Sequence, residues 1–181
     1  MGPFVKTRNG NQYIVLAFDS FTKYLEGVAT ISFDALISAI FIFNMVFCRH
    51  GPYEKVLSDR GRNFEAHLFM HMCHLMNAEK LRTISFHAQC NGGVERVNKV
   101  IKPCLAKLID VDQNDWNVYL PMAISSNNNS FHSSIKMTPY EAHYGRPSVL
   151  IPDIILNNPL PISTRYKDVN QYLVSLWENA Q

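Results

Sequence analysis

The sequence contains little cysteine, and its few cysteines follow none of the patterns that define small structural frameworks. Four cysteines are spread over 181 residues, with no CxxC pair and no regular spacing. This distribution argues against a secreted domain held together by disulfides. We therefore predict an intracellular protein with reduced thiols.

Long apolar runs and targeting signals are also missing. The most apolar stretch, residues 35–48, is shorter than the ~20 residues that span a membrane, and it contains Ser38 and Asn44. The first ten residues, MGPFVKTRNG, include no apolar signal-peptide core. These absences predict a protein that is neither secreted nor embedded in a membrane.

The sequence also lacks an excess of one charge, and it lacks several enzyme motifs. Seventeen lysines and arginines against 15 aspartates and glutamates leave a net charge of only +2. Overall charge therefore does not identify a nucleic-acid-binding protein, and such a function must come from local clusters. The lack of a GxSxG elbow, a Walker loop and a GxGxxG motif argues against serine hydrolases, P-loop NTPases and Rossmann enzymes.

What is present fits a globular α/β domain, with 47% hydrophobic residues and a length suited to one core. Two strands come first, then alternating helices and strands, then helices only, which predicts a mixed sheet. Strands are predicted at residues 11–18, 24–31, 55–58 and 80–85, helices at 34–49, 65–77, 94–110, 114–126 and from Thr138 onward, and polar loops at 86–93 and 125–134. We predict one domain over residues 1–152 and a proline-bearing, then weakly helical, C-terminal extension over 153–181.

Three acidic residues occupy positions suited to chemistry. Asp19 and Asp59 each follow a predicted buried strand, and Glu95 opens a predicted helix after two glycines. Strand ends and helix starts can bring side chains to one rim of a sheet. Clustered carboxylates repel one another unless a cation neutralises them, and Mg²⁺ or Mn²⁺ prefers such oxygen ligands. Taken singly, an aspartate at a strand end is more often a turn former than a metal ligand, and an acidic residue suits an ordinary helix start.

The spacing and flanks of these residues match a known family. Thirty-five residues separate Asp59 from Glu95, and the local sequences are AFDSFTKY, LSDRGRNF and FHAQCNGGVERVN. The chain resembles the D,D(35)E catalytic core of retroviral and long-terminal-repeat retrotransposon integrases, closest to the gypsy-like branch. The resemblance continues through DWNVYLP and TPYEAHYGRP to about residue 152.

The resemblance implies a ribonuclease-H-like fold, with a mixed five-stranded sheet flanked by helices. It implies a polynucleotidyl transferase or endonuclease that processes DNA ends and joins them to target DNA, with Mg²⁺ or Mn²⁺ as cofactor. Asp19, Asp59 and Glu95 would be both the catalytic residues and the metal ligands. The implied partners are element and target DNA, bound by a homo-oligomer, and the substrate implies a nuclear site of action.

A basic face follows Glu95 along the predicted helix. Lys99 and Lys102 lie four and seven residues further on and so share its face. Such a face is usually a solvated, salt-bridging surface, but beside a metal site it would neutralise DNA phosphates, as the resemblance implies. Further candidates for DNA contact are Arg96, Gln89 and Asn91. The last two could equally stabilise the loop that holds them.

Several residues depart from the family pattern. Ala88 replaces the proline of the usual His-Pro-Gln sequence, Cys90 stands where threonine or serine is common, and Arg62 stands where threonine is usual. Pro103 should bend or interrupt the helix after Glu95. The alternative function is therefore a domesticated or decayed integrase-derived module that binds nucleic acid without turnover. A ribonuclease-H-type nuclease acting alone fits the fold but not the integrase-like flanks.

One further pattern suggests a metal. His67, His71 and His74 share a helical face near Cys73. The face offers no fourth ligand of the kind that a structural zinc site needs, so a partly exposed histidine stripe is the favoured interpretation.

Overall fold

The computed structural model describes residues 1–59, 61–82, 88–109 and 113–149, and for residues 88–92, 94 and 95 it describes the backbone alone. The predicted C-terminal extension, 153–181, lies outside the described residues. Within them the elements follow the predicted order of two strands, then helices and strands, then helices.

Four strands form two separate pairs. The strands are β1 (Tyr13–Phe18), β2 (Leu25–Thr30), β3 (Lys55–Ser58) and β4 (Glu79–Arg82). β1 and β2 are antiparallel, with Phe18 opposite Leu25, whereas β3 and β4 are parallel. The predicted α/β class is confirmed, but the five-stranded sheet is not: the described residues form two two-stranded sheets. Val15 of β1 and Val56 of β3 belong to one apolar cluster.

Helices form the remaining regular structure of the described ranges. They are α1 (Ala35–Phe41), a π-helical segment (Ile42–Phe47), α2 (Cys48–His50), α3 (Arg62–Glu65), α4 (His67–Leu75), α5 (Ala88–Leu108), α6 (Trp116–Asn128) and α7 (Pro139–Tyr144). Asp34 caps α1 by accepting a hydrogen bond from the Ile37 amide at 2.9 Å. Thr138 and Glu141 form a capping box at α7. None of these helices is long and apolar enough to cross a membrane.

One local prediction was wrong, and a second was wrong in part. Residues 88–93, predicted as loop, belong to α5, so its two glycines lie within the helix and not in a hinge before it. Pro103 does not interrupt α5, which continues to Leu108. The cost of a proline inside a helix is offset here by packing, because Ile101 and Leu105 on either side of it are buried in the core.

The core has two halves, one on each side of β1. Ile14 belongs to a cluster with α5 and α6, whereas the next residue, Val15, belongs to a cluster with α1 and α4. Successive strand residues point to opposite faces, so both faces of β1 are covered by helices. The end of β1 therefore emerges between two helical layers, and the candidate site lies there.

Candidate functional site

Asp19 lies in the tight turn between β1 and β2, where hydrogen bonds from Phe21 and Thr22 of the same turn hold its carboxylate. Oδ1 accepts a hydrogen bond from the Phe21 amide (3.1 Å), and Oδ2 accepts bonds from the amide (3.1 Å) and hydroxyl of Thr22. Burial raises the pKa of this carboxyl, but the bonds from Thr22 and Phe21 outweigh burial, so the pKa lies below its ordinary value. Asp19 is therefore ionised at neutral pH and fixed in orientation.

Asp59 occupies the corresponding place after β3 and is exposed. Its Oδ1 accepts a hydrogen bond from the Gly61 amide at 3.0 Å. A Cβ at position 61 would lie 2.9 Å from that oxygen and 2.8 Å from Oδ1 of Asn63, so glycine permits the tight exit from the strand. The carboxylate is thus oriented by the backbone and open to a ligand.

Glu95 lies in the second turn of α5, which a close contact brings to the end of β1. Gly93 packs against the ring of Phe18, the residue before Asp19, and a Cβ at position 93 would lie 2.6 Å from a ring carbon. Only glycine permits this approach. Glu95 therefore follows the contact by two residues. Its side chain, like those of Gln89 and Asn91, lies outside the described residues.

Asp59 lies near the N-terminus, whose α-amino group donates a hydrogen bond to the Ile14 carbonyl at the start of β1. Burial and Lys102 lower the pKa of the Met1 α-amino group, whereas Asp59 raises it, so both side chains lie within electrostatic reach of that group. Among the described side chains, no three histidines, cysteines or carboxylates are grouped to hold a metal ion. The three-carboxylate site stays a prediction, because one of its side chains lies outside that set.

The predicted basic face is exposed along α5. Arg96, Lys99 and Lys102 are all exposed to solvent. Lys99 and Lys102 line an open groove of about 440 Å³ together with Asn98 and Pro103. None of the ion pairs among the described side chains involves these three cations. The face therefore suits an anionic ligand.

A histidine–tyrosine cluster beside Asp19 was missed by sequence reasoning. His50 Nε2 lies 3.0 Å from Glu26 Oε1, and His50 Nδ1 lies 3.0 Å from His143 Nε2. The Tyr24 ring stacks on His143, with centroids 4.3 Å apart. Burial and His50 lower the pKa of His143 more than Asp19 and Glu26 raise it. The cluster fixes α7 against the Asp19 turn, and its members share no sequence spacing that could have revealed it.

The histidine stripe of α4 faces solvent. His67, His71 and His74 are exposed, whereas Cys73 is buried in the core. Burial raises the pKa of the Cys73 thiol, which favours the neutral form over the thiolate that binds zinc. The four residues therefore do not present a common surface.

Comparison with known proteins relates the chain to retroviral and transposon polyproteins. No protein-family model matches it. It is 27% identical over 150 residues to the retrovirus-related Pol polyprotein from transposon 412 of Drosophila melanogaster, covering 83% of this chain and 12% of that protein. It is 30% identical over 145 residues to the Gag-Pol polyprotein of Gibbon ape leukemia virus, covering 80% of this chain and 8% of that protein. The chain spans about a tenth of the length of these curated relatives.

Solved structures with a similar fold are integrase catalytic cores. The catalytic core domain of BIV integrase matches with a TM-score of 0.61 and 24% identity, over 73% of this chain and 85% of that chain. The HTLV-2 integrase catalytic core domain in complex with magnesium matches with a TM-score of 0.61 and 19% identity, over 72% of this chain and 84% of that chain. The predicted ribonuclease-H-like fold is confirmed, as is the resemblance to integrase catalytic cores.

Proposed function

We propose that this chain is the catalytic core of a retroelement integrase, which binds DNA and carries out divalent-metal-dependent processing and joining of DNA ends. The observation that carries the proposal is the contact between Gly93 and Phe18, because it sets the helix of Glu95 against the strand end of Asp19. Similarity to Pol polyproteins over about four fifths of the chain supports the same function. Because the substrate is DNA, we also propose a nuclear site of action.

The cofactor in this proposal is Mg²⁺ or Mn²⁺, held by Asp19, Asp59 and Glu95. The donors fit, because hard cations prefer carboxylate oxygens and the turn around Asp19 keeps its carboxyl ionised. The bound metal would supply activation of an attacking hydroxyl and charge stabilisation at the phosphodiester. The contribution of the protein is to hold Asp19 and Asp59 at separate strand ends, each oriented by backbone amides.

The partners in this proposal are element and target DNA. Lys99 and Lys102, exposed on α5 close to Glu95, would neutralise phosphates without selecting a sequence. A homo-oligomer is proposed as the working unit, since the HTLV-2 integrase core of similar fold is described in a trimeric form.

Incubation with labelled duplex DNA tests the proposed reaction. In Mg²⁺ or Mn²⁺ we expect shortened strands from end processing and lengthened strands from joining, and in excess chelator we expect neither. Products that persist in chelator would contradict the metal-dependent mechanism. DNA binding without products in either metal would instead favour the decayed or domesticated module.

Lys99→Ala is expected to weaken DNA binding and to reduce the slope of log affinity against log salt by about 0.9, because one phosphate contact is lost. The matched control is Lys107→Ala, since Lys107 is an exposed lysine about 12 Å further along α5. Fluorescence anisotropy at several salt concentrations gives both slopes. If Lys99→Ala leaves the slope unchanged, the face is only a solvated surface.

A further inference from the structure

A cavity of about 550 Å³ opens where Phe18, at the end of β1, meets Gly93 of α5, on a different side of α5 from Lys99 and Lys102. It lies between the end of β1, the helix α5, the end of α6 and residues 130–134. Its volume is within the range of pockets that hold small ligands. The cavity therefore has room for a ligand component that Lys99 and Lys102 do not contact.

Two cationic side chains line the cavity. Lys23 and Arg96 contribute to its wall, and none of its described lining residues is aspartate or glutamate. His132 also lines it, and the pKa of His132 is lowered by burial, Arg96 and Lys23. Both cations therefore raise the electrostatic potential inside the cavity, which favours binding of an anion there.

Lys23 holds its place at a conformational cost. Its φ of 66° lies in the left-handed region, where glycine or asparagine is normally found. The ammonium group lies 5.8 Å from the centroid of the Phe18 ring and donates a hydrogen bond to the Ser20 carbonyl. A lysine in a turn position that favours glycine places a fixed positive charge at the mouth of the cavity.

The remaining walls combine an aromatic ring with hydrogen-bonding groups. Phe131 is 71% exposed, although a ring of this size normally seeks burial. Ser126, Asn127 and Ser130 also line the cavity, and their side chains carry hydroxyl or amide groups. An aromatic face, hydrogen-bonding groups and two cations match the three parts of a nucleotide, which are base face, base edge and phosphate.

We propose that this cavity binds one unpaired nucleotide of the DNA substrate, with its phosphate at Lys23 and Arg96 and its base against Phe131. The proposal rests on the proposed function, because it assumes that DNA lies along α5. A base inside a duplex has both faces stacked on its neighbours, so only an unpaired base can meet the exposed ring. The site is thus selective for single-stranded DNA next to the duplex that the basic face holds.

Metal-free binding of two labelled DNAs tests the proposal. One is a blunt duplex, and the other carries the same number of phosphates but ends in a short single-stranded tail. We expect the parent to bind the tailed DNA about tenfold more tightly, and Lys23→Gly and Phe131→Ala each to remove most of that preference. Lys136→Gly is the matched control, because Lys136 is exposed, has a φ of 54° and does not line the cavity.

The outcomes separate this proposal from the function on which it rests. Equal binding of the two DNAs by the parent, or an unchanged preference in both Lys23→Gly and Phe131→Ala, overturns the nucleotide site and leaves the proposed DNA binding standing. Failure to bind either DNA overturns both. Displacement of the tailed DNA by an oligoglutamate peptide as effectively as by a single-stranded oligonucleotide would assign the cavity to acidic peptides and overturn the proposal. Glycine suits the left-handed conformation at position 23, so Lys23→Gly is expected to fold.

Discussion

Replacing Asp59 with asparagine is expected to reduce metal-dependent joining of DNA by about a thousandfold, equivalent to ~4 kcal/mol in the activation free energy. The fold should be almost unaffected, because Asp59 is exposed and an asparagine Oδ1 can still accept the hydrogen bond from the Gly61 amide. The variant removes the charge that a divalent cation requires and keeps the shape. Single-turnover rates at saturating Mg²⁺, together with denaturant unfolding, separate the two effects.

Asp34→Asn is the matched control for this prediction. It makes the same chemical change at an exposed carboxylate that caps α1, and asparagine is as good a cap as aspartate. We expect parental rates and stability from it. If Asp59→Asn kept more than about a tenth of the parental rate, the activation free energy would have risen by less than ~1.4 kcal/mol. That rise is too small for the loss of a metal ligand, and the proposed mechanism would fail.

Asp19→Asn should behave differently from Asp59→Asn. The Asp19 carboxylate accepts three hydrogen bonds within its own turn, and one of them comes from the Thr22 amide to Oδ2. An asparagine would place an amide nitrogen opposite that donor, so the turn itself loses stability. Of the two aspartates, Asp59 therefore gives the cleaner test of chemistry.

The strands and capped helices were predictable because their signals are local. The apolar run that forms β1, the Asp34 cap and the Thr138–Glu141 capping box each depend on neighbouring residues alone. The start of α5 was not predictable in this way, because glycines favour a loop by propensity. The structure extends the helix through Gly93, where the Phe18 ring fills the space that a side chain would need, and Phe18 is distant in sequence.

The candidate site also combines residues that local sequence predicts with a cavity that only tertiary packing forms. Asp19, Asp59 and Glu95 were predicted from strand ends, an expected helix start and flanking motifs, and their joint role stays a prediction. The cavity at the end of β1 was not predicted, because its cations, Lys23 and Arg96, are brought together only by the packing of α5 on β1. Tertiary proximity of residues from separate elements leaves no periodic trace in a single sequence.

Three consecutive asparagines illustrate this limit, because sequence analysis assigned them all to a polar loop. Asn127 lines the cavity, and Asn129 bonds to the carbonyl of Ser125. Asn128 is only 3% exposed and forms two hydrogen bonds with the backbone of Leu25, accepting from its amide at 3.0 Å and donating to its carbonyl at 2.9 Å. It thus occupies the place that a neighbouring strand would take beside the start of β2.

Asn128→Leu is therefore expected to lower the free energy of unfolding by about 3 kcal/mol, because it leaves a buried amide and a buried carbonyl unpaired. In a domain of this size, that loss lowers the melting temperature by roughly 6–12 °C. Asn129→Ala, which removes more exposed hydrogen bonds with Ser125 and Ser148 one residue away, should cost about 1 kcal/mol or less. Thermal and denaturant unfolding of both variants give the comparison. Equal decreases in the free energy of unfolding would show that the hydrogen bonds to Leu25 stabilise the fold no more than those of Asn129. Since Leu25 pairs with Phe18 and adjoins the Asp19 turn, the Asn128 bonds also hold the strand end on which the proposed catalytic carboxylate depends.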